Sequence, residues 1–212
     1  MRHAAAQTGV GRCRRSNYDQ RMSMPDYPLI TARLLLRPFT ADDFDAVYDL
    51  QSRPEVTRYL LFGVRDRDQV SASLRERIAA GVPDRQGGRR LILALAVVLP
   101  ETGAVIGDVV LFQVSQEHRA AELGYIVHPD RAGRGYATEA AREMLRLGFE
   151  IFGMHRIIAR LDARNTASAR VLEHLGMRRE AHFVQNEFFK GEWSDELVYA
   201  MLHDEWRESG RV

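Results

Sequence analysis

Residues 125–141 read YIVHPDRAGRGYATEAA, and this stretch decides the fold. An alternating apolar run (Leu123, Tyr125, Val127) ends at His128-Pro129. A Gly-Arg-Gly turn follows at Gly133 to Gly135, and an Ala-rich helical pattern starts near Tyr136 or Ala137. A strand, a glycine turn and a helix start in that order make an anion cradle. Glycine lets the backbone approach a ligand closely, and the first N–H groups of a helix have no partner within it. The helix dipole favours negative charge at the same place, and Arg134 adds a positive one.

Upstream, the cradle is preceded by a series of hairpin strands. Arg90 to Leu99, Val105 to Val114 and Ala120 to Val127 are strand-sized apolar runs separated by Glu101-Thr-Gly103 and Ser115 to Arg119. Before them, Arg33 to Phe39 is a strand stopped by Pro38. Thr40-Ala-Asp-Asp43 resembles a capping box that opens a helix to about Gln51. Phe44, Val47, Tyr48 and Gln51 share one face of that helix. Arg67 to Ala80 is a second helix with Val70, Leu74 and Ile78 on one face, and Pro83 to Gly88 is a loop. Downstream, Ala137 to Phe152 is the main helix and Arg156 to Leu161 a strand. Asn165 to Gly176 (NTASARVLEHLG) is a capped helix, and two last strands flank Lys190-Gly191. The order β-α-α-β-β-β-α-β-α-β-β predicts an α+β (mixed α/β) domain. Its sheet has about seven mostly antiparallel strands flanked by about four helices. Residues 1–24 read as a disordered basic tail or a misassigned start, and residues 25–208 as the folded domain.

No Gly-Lys-Ser/Thr follows the glycine turn, which excludes a nucleotide P-loop, and the hairpin strands before it disfavour a dinucleotide-binding topology. The turn together with the later NTASARVLEHLGM segment resembles the GNAT superfamily of acetyl-CoA-dependent N-acetyltransferases. The resemblance extends through LITARLLLRPFTADDFDAVYDL (29–50), TGAVIGDVVL (102–111) and FFKGEWSDELVYAM (188–201). It is strongest to the branch that contains the ribosomal-protein N-terminal acetyltransferases. The family's turn pattern falls on Ala132, Gly135 and Ala137, and Ala132 stands where the family has Gln or Arg. Arg131 or Arg134 can compensate.

The resemblance implies that Ala132, Gly133, Arg134, Gly135, Tyr136, Ala137 and Thr138 bind the pyrophosphate of acetyl-CoA. It implies that backbone groups of Ile126, Val127 and His128 pair with the pantetheine arm on a strand splayed from the next. Asn165 is expected to hold that arm, and Ser168 to lie near the sulfur and protonate the leaving thiolate. Glu122, among apolar neighbours, is the first candidate base, with Glu187 second. His128, before a proline, reads more readily as structural. Tyr59, Phe62 and Glu187 fall on the acceptor side. Trp193, Phe188 and Phe189 read as core in preference to a wall on the acceptor side. The expected activity is direct acetyl transfer to a primary amine, a protein N-terminus being one candidate and a polyamine or antibiotic another. A non-catalytic acyl-CoA-binding module remains the alternative outside enzymes.

Composition bounds the partners. The 212 residues are 45% hydrophobic and contain one cysteine, Cys13. That excludes an internal disulfide framework and a cysteine metal site, and no metal is expected. No apolar run is long enough to span a membrane. Residues 1–21 carry five arginines and one acid, so the rest of a chain of net charge +1 carries −3. A mildly acidic body disfavours nucleic acid as the main partner, although the basic tail leaves an RNA- or ribosome-associated role open. The expected setting is a reducing cytoplasm and the expected state a monomer or homodimer.

Overall fold

The computed structural model describes residues 25–80 and 92–210. The expected tail (1–24), the 83–88 loop and the first residues of the strand at 90–99 lie outside them. Eight strands form one sheet: β1 (Leu29–Ile30), β2 (Leu35–Arg37), β3 (Ile92–Val98), β4 (Val105–Ser115), β5 (Ala120–Val127), β6 (Arg156–Asp162), β7 (Arg178–Phe189) and β8 (Glu192–Leu202). Their order is β1-β2-β3-β4-β5-β6-β8-β7. Every pairing is antiparallel except β5 with β6. That parallel pair follows from the crossover helix α4 (Tyr136–Arg146), because a helix between two strands returns the chain in the same direction.

Helices cover both faces. Helices α1 (Phe44–Gln51) and α3 (Arg67–Ala80) enclose a small apolar cluster in which Val47, Val70 and Leu74 meet Phe39, Ala96 and Val98. The expected start of α1 forms with a modification. Residues 41–43 are a 3-10 turn, and the buried Asp43 carboxylate accepts the Thr40 N–H at 2.8 Å. Both guanidinium ends of Arg37 donate to the same carboxylate at 2.8 Å. The buried face of α1 is Val47, Leu50 and Gln51, while Phe44 and Tyr48 stack on each other under Arg67. On the other face, α4 buries Ala140, Ala141, Met144 and Leu145 in the main core. A single π turn at residues 147–151 extends it, and α5 (Thr166–His174) lies alongside.

Three short elements were not expected: β1, α2 (Pro54–Thr57) and the C-terminal α6 (His203–Ser209). Trp206 of α6 stacks on Phe149 and donates to Glu150 Oε1 at 2.9 Å. The two-strand expectation for the C-terminus was also wrong about its aromatics. Phe188 and Trp193 are a cross-strand pair on the β7–β8 hairpin, 60% and 57% exposed, and belong to no core. The Phe189 side chain lies outside the described part. Among the described residues no helix is long and apolar enough to cross a membrane.

One glycine fixes the approach of β4 to the end of β5. A Cβ on Gly107 would lie 2.2 Å from Ile126 O and 3.1 Å from Val127 Cα, both backbone atoms. Backbone cannot yield as a side chain can, so overpacking here costs about 2–3 kcal/mol. Gly107→Ala is expected to lower Tm by roughly 4–12 °C in a thermal melt followed by circular dichroism. An unchanged Tm would show that the two strands are free to separate.

Candidate active site

The site lies where β5 and β6 part. They pair over Ala120–Glu122 and Arg156–Ile158, after which β5 stays with β4 as far as Val127. β6 instead stays with β8 as far as Asp162. A wedge therefore opens beside residues 123–127. Alternation along β5 decides which backbone groups face it. The His128 N–H donates to Ile106 O at 2.7 Å, so the N–H and C=O of Val127 and Tyr125 point the other way, into the wedge. This corrects the expectation for Ile126 and His128: the His128 N–H is committed to Ile106 O, and the same alternation turns the Ile126 N–H and C=O to β4 and away from a ligand.

The cradle follows at the mouth of the wedge. The His128 ring accepts the Asp130 N–H on Nδ1 at 3.2 Å, so Nε2 carries the proton and donates to Asp49 at 2.8 Å. With both nitrogens engaged, His128 ties the turn to α1 and is not placed as a base. The N–H groups of Arg131 and Ala132 close a tight turn on His128 O and Pro129 O. Gly133 (φ +72°) and Gly135 (φ +79°) then adopt the left-handed conformation. The next N–H with a backbone acceptor is that of Glu139, on Gly135 O at 3.0 Å. The six N–H groups from Gly133 to Thr138 stand before it, on an exposed turn and a helix start. A run of orphan donors at a helix N-terminus fits a pyrophosphate. Ala132 contributes no polar side chain to it.

The brace behind this turn comes from a distant segment. Between β1 and β2, Arg33 donates through Nη1 to Arg134 O (2.8 Å) and through Nε to Glu139 (2.8 Å), and lies over the Tyr136 ring at 4.9 Å. Thr31 Oγ1 and the Arg33 N–H also donate to Glu139, at 2.6 and 2.7 Å. Burial raises the Glu139 pKa, but these hydrogen bonds outweigh it and the net shift is downward. Sequence reading missed Arg33. Its only local signal is a polar residue in an otherwise apolar run.

Asn165 and Ser168 open α5 beside the wedge. Asn165 Oδ1 accepts the Ser168 N–H at 3.1 Å, which caps the helix and fixes Ser168. Ser168 Oγ lies 2.8 Å from Tyr125 Oη, which also donates to Ser168 O at 3.1 Å. Burial pushes the Tyr125 hydroxyl up to about 12, against the opposing pull of Ser168. Tyr125, read only as a strand residue, is thus a protonated hydroxyl in contact with the proposed acid.

A cavity of about 110 Å³ lies beside Glu122 on β5. Arg160 and Asp162 of β6, Glu187 of β7 and Asp195 and Glu196 of β8 line it, with Tyr59 from the segment after α2. Three of its five carboxylates have basic partners: Asp162 with Arg164 (2.6 Å), Asp195 with His182 (2.8 Å) and Glu196 with Arg160 (3.0 Å). Among the described residues, neither Glu122 nor Glu187 has such a contact through its carboxylate. Burial raises the Glu122 pKa; Glu196 and Glu187 add to that, and Arg160 opposes it. Phe62 is not part of this group. It lies under the Arg65 guanidinium at 3.9 Å and lines a second cavity against α3.

Glu122 and Tyr125 are three residues apart on a strand, so their side chains leave opposite faces of the sheet. The carboxylate serves the acidic cavity, and the Tyr125–Ser168 pair serves the face carrying α4 and α5. The wedge lies between them.

Comparison with known proteins gives the family and the fold. Residues 33–178 match the family model of the Acetyltransferase (GNAT) domain. The uncharacterized N-acetyltransferase YnaD of Bacillus subtilis (strain 168) is 33% identical over 178 residues, covering 84% of this chain and 98% of the relative. A GNAT-family acetyltransferase structure from Bacillus anthracis superposes with a TM-score of 0.75 at 32% identity, covering 84% of this chain and 99% of that one. The fold is also that of a Vibrio cholerae spermidine N-acetyltransferase solved with CoA and spermine. Its TM-score is 0.70 at 21% identity, with 84% and 99% of the chains covered. The chain belongs to the GNAT family of N-acetyltransferases, whose acetyl donor is acetyl-CoA.

Proposed function

We propose that this enzyme transfers acetyl directly to a primary amine that enters the acidic cavity and meets the donor in the wedge beside β5. The observation that carries this reading is the placement of a buried carboxylate and a hydroxyl pair on opposite faces of the parted strand. When bound, acetyl-CoA supplies a thioester whose acetyl carbon the amine attacks and whose sulfur leaves as thiolate.

The chain's own groups divide the rest of the work. Gly133 to Thr138 hold the pyrophosphate, and the backbone of Tyr125 and Val127 orients the pantetheine arm as an added strand. The Val127 N–H faces the developing oxyanion. Glu122 takes the ammonium proton, directly or through one water, because only a neutral amine attacks. As the C–N bond forms and the C–S bond breaks, Ser168 Oγ, held in line by Tyr125 Oη, gives its proton to the sulfur and is reprotonated, through water, by the proton that the new amide nitrogen releases. No covalent enzyme intermediate is required, and Cys13 is not involved.

The resemblance to ribosomal-protein acetyltransferases supports a protein N-terminus as acceptor. The lining supports a second reading, a small di- or polyamine. Two carboxylates without basic partners in a cavity of this size suit an acceptor with more than one positive charge better than a single α-amine. A panel of N-terminal peptides, spermidine and short diamines, read as coenzyme A release, separates the two. Absence of release with every amine overturns the reading.

Glu122→Gln and Ser168→Ala are expected to bind coenzyme A within about threefold of wild type by calorimetry and to lose about 10²–10⁴-fold in kcat/KM. Full turnover in both variants would remove these roles. Because Glu122 is raised and must be ionised to act, activity falls as pH drops through a value above the usual glutamate range. This limb of the kcat/KM profile should disappear in Glu122→Gln. In contrast, Arg33→Ala loosens the cradle and is expected to weaken coenzyme A binding by roughly tenfold, with kcat at saturation nearly unchanged. Unaltered affinity would show that the brace is not needed.

A further inference from the structure

Lys190 is the only lysine among 30 basic residues; all the others are arginine. It occupies the two-residue turn between β7 and β8, with φ +53°, followed by Gly191 at φ +82°. Turns of this kind favour Asn-Gly or Gly-Gly, and a lysine in the left-handed region costs about 1–2 kcal/mol. The side chain shows why lysine stands there. Its ammonium donates to Thr57 O at the C-terminal end of α2, and to Arg58 O at 3.2 Å. A helix C-terminus attracts a cation, and a compact three-donor ammonium can enter between two successive carbonyls. A planar guanidinium also donates to carbonyls, as Arg33 does to Arg134 O, but its donors are spread in a fixed fork and do not converge on two successive carbonyls from one point.

The location gives the contact its consequence. Glu187 and Ser194, on the two strands of the hairpin, line the acidic cavity, and so do Tyr59 and Leu61 just after the captured carbonyls. Among the described residues, the hydrogen bonds joining the hairpin tip to residues 54–61 come from Lys190. Thr57 itself is buried and its carbonyl also accepts the Leu60 N–H at 2.9 Å, so the far anchor is rigid.

We propose that Lys190 is a strap across the acceptor cavity: it holds the β7–β8 tip against the Thr57–Leu61 segment and thereby sets which amines fit. It is a positioning residue, and the part of the proposal that concerns amines rests on the acceptor assignment above. Lys190→Met keeps the stem and removes the ammonium, and Lys190→Arg keeps the charge and changes its shape.

Hydrogen exchange read by mass spectrometry tests the strap without turnover. Both variants are expected to exchange at least about tenfold faster at residues 57–61, with α5 unchanged. Kinetics tests the consequence: the KM ratio between a bulky and a slender amine should shift at least about fivefold, while coenzyme A affinity stays within twofold. Acetylating the folded wild-type protein with an N-hydroxysuccinimide ester reaches one side-chain amine, Lys190, and should reproduce the Lys190→Met result if a variant folds poorly. Unchanged exchange at 57–61 after either perturbation overturns the strap. Faster exchange with an unchanged KM ratio overturns its role in selection. A wild-type enzyme that acetylates no amine would sink the acceptor assignment, and the exchange result would still decide the strap.

Discussion

Three residue pairs join the two halves of this sheet. β5 meets β6 at Ala120–Glu122 with Arg156–Ile158, and both strands then follow their other neighbours. β5 keeps eight residues against β4, and Gly107 lets the two come close at Ile126. β6 keeps seven against β8, from Arg156↔Leu202 to Asp162↔Glu196. The facing edges of β5 and β6 separate while each strand keeps its longer ladder on the other edge, so the wedge is a product of strand pairing and not of a flexible loop. Everything functional depends on it. It exposes one edge of β5, sets the glycine turn at its mouth, and lets groups from opposite faces of the sheet approach one point.

The electrostatics fit that division. The cradle face is electropositive at a helix start, where six N–H groups precede the first backbone-bonded one and the nearby carboxylate of Glu139 is held back by Arg33 and Thr31. The cavity beside Glu122 is lined by five acidic residues and Arg160. In the proposed reaction an anionic donor and a cationic acceptor are thus drawn to different mouths of one opening. Burial, helped by the nearby Glu196 and Glu187, keeps Glu122 in its protonated form to a higher pH. The requirement for an ionised base and the attraction of a cation pull in opposite directions, and an arriving ammonium relieves the conflict by stabilising the carboxylate.

Local pattern carried much of this. The Gly133–Thr138 cradle, the α4 packing face and the Asn165 cap each involve residues within about a turn or two of one another, and all were legible. Short elements were harder. α2 has four residues and β1 two, too few for any periodicity. α6 was signalled by Asp204 and Glu205 after Leu202, an acidic first turn that the strand pattern before it obscured. Phe188 and Trp193 were read as core because large aromatics usually are, yet they lie on the β7–β8 hairpin at the edge of the sheet and stay exposed. Arg33 and Lys190 were invisible as functional candidates, since each acts on a segment more than 100 residues away.

By itself the amino-acid sequence determined the glycine turn and the free helix end, because these are properties of neighbouring residues. It also determined the family, through the order in which that turn and the capped helix occur. The tertiary structure alone decided the acidic cavity and the Tyr125–Ser168 contact. Tyr59, Glu122, Asp162, Glu187, Asp195 and Glu196 come from separate elements, and only the order β5-β6-β8-β7 makes them neighbours. Tyr125 meets Ser168 because α5 lies against the face of β5 to which odd-numbered residues point. Such convergence follows from strand order and pleat, which no local spacing encodes.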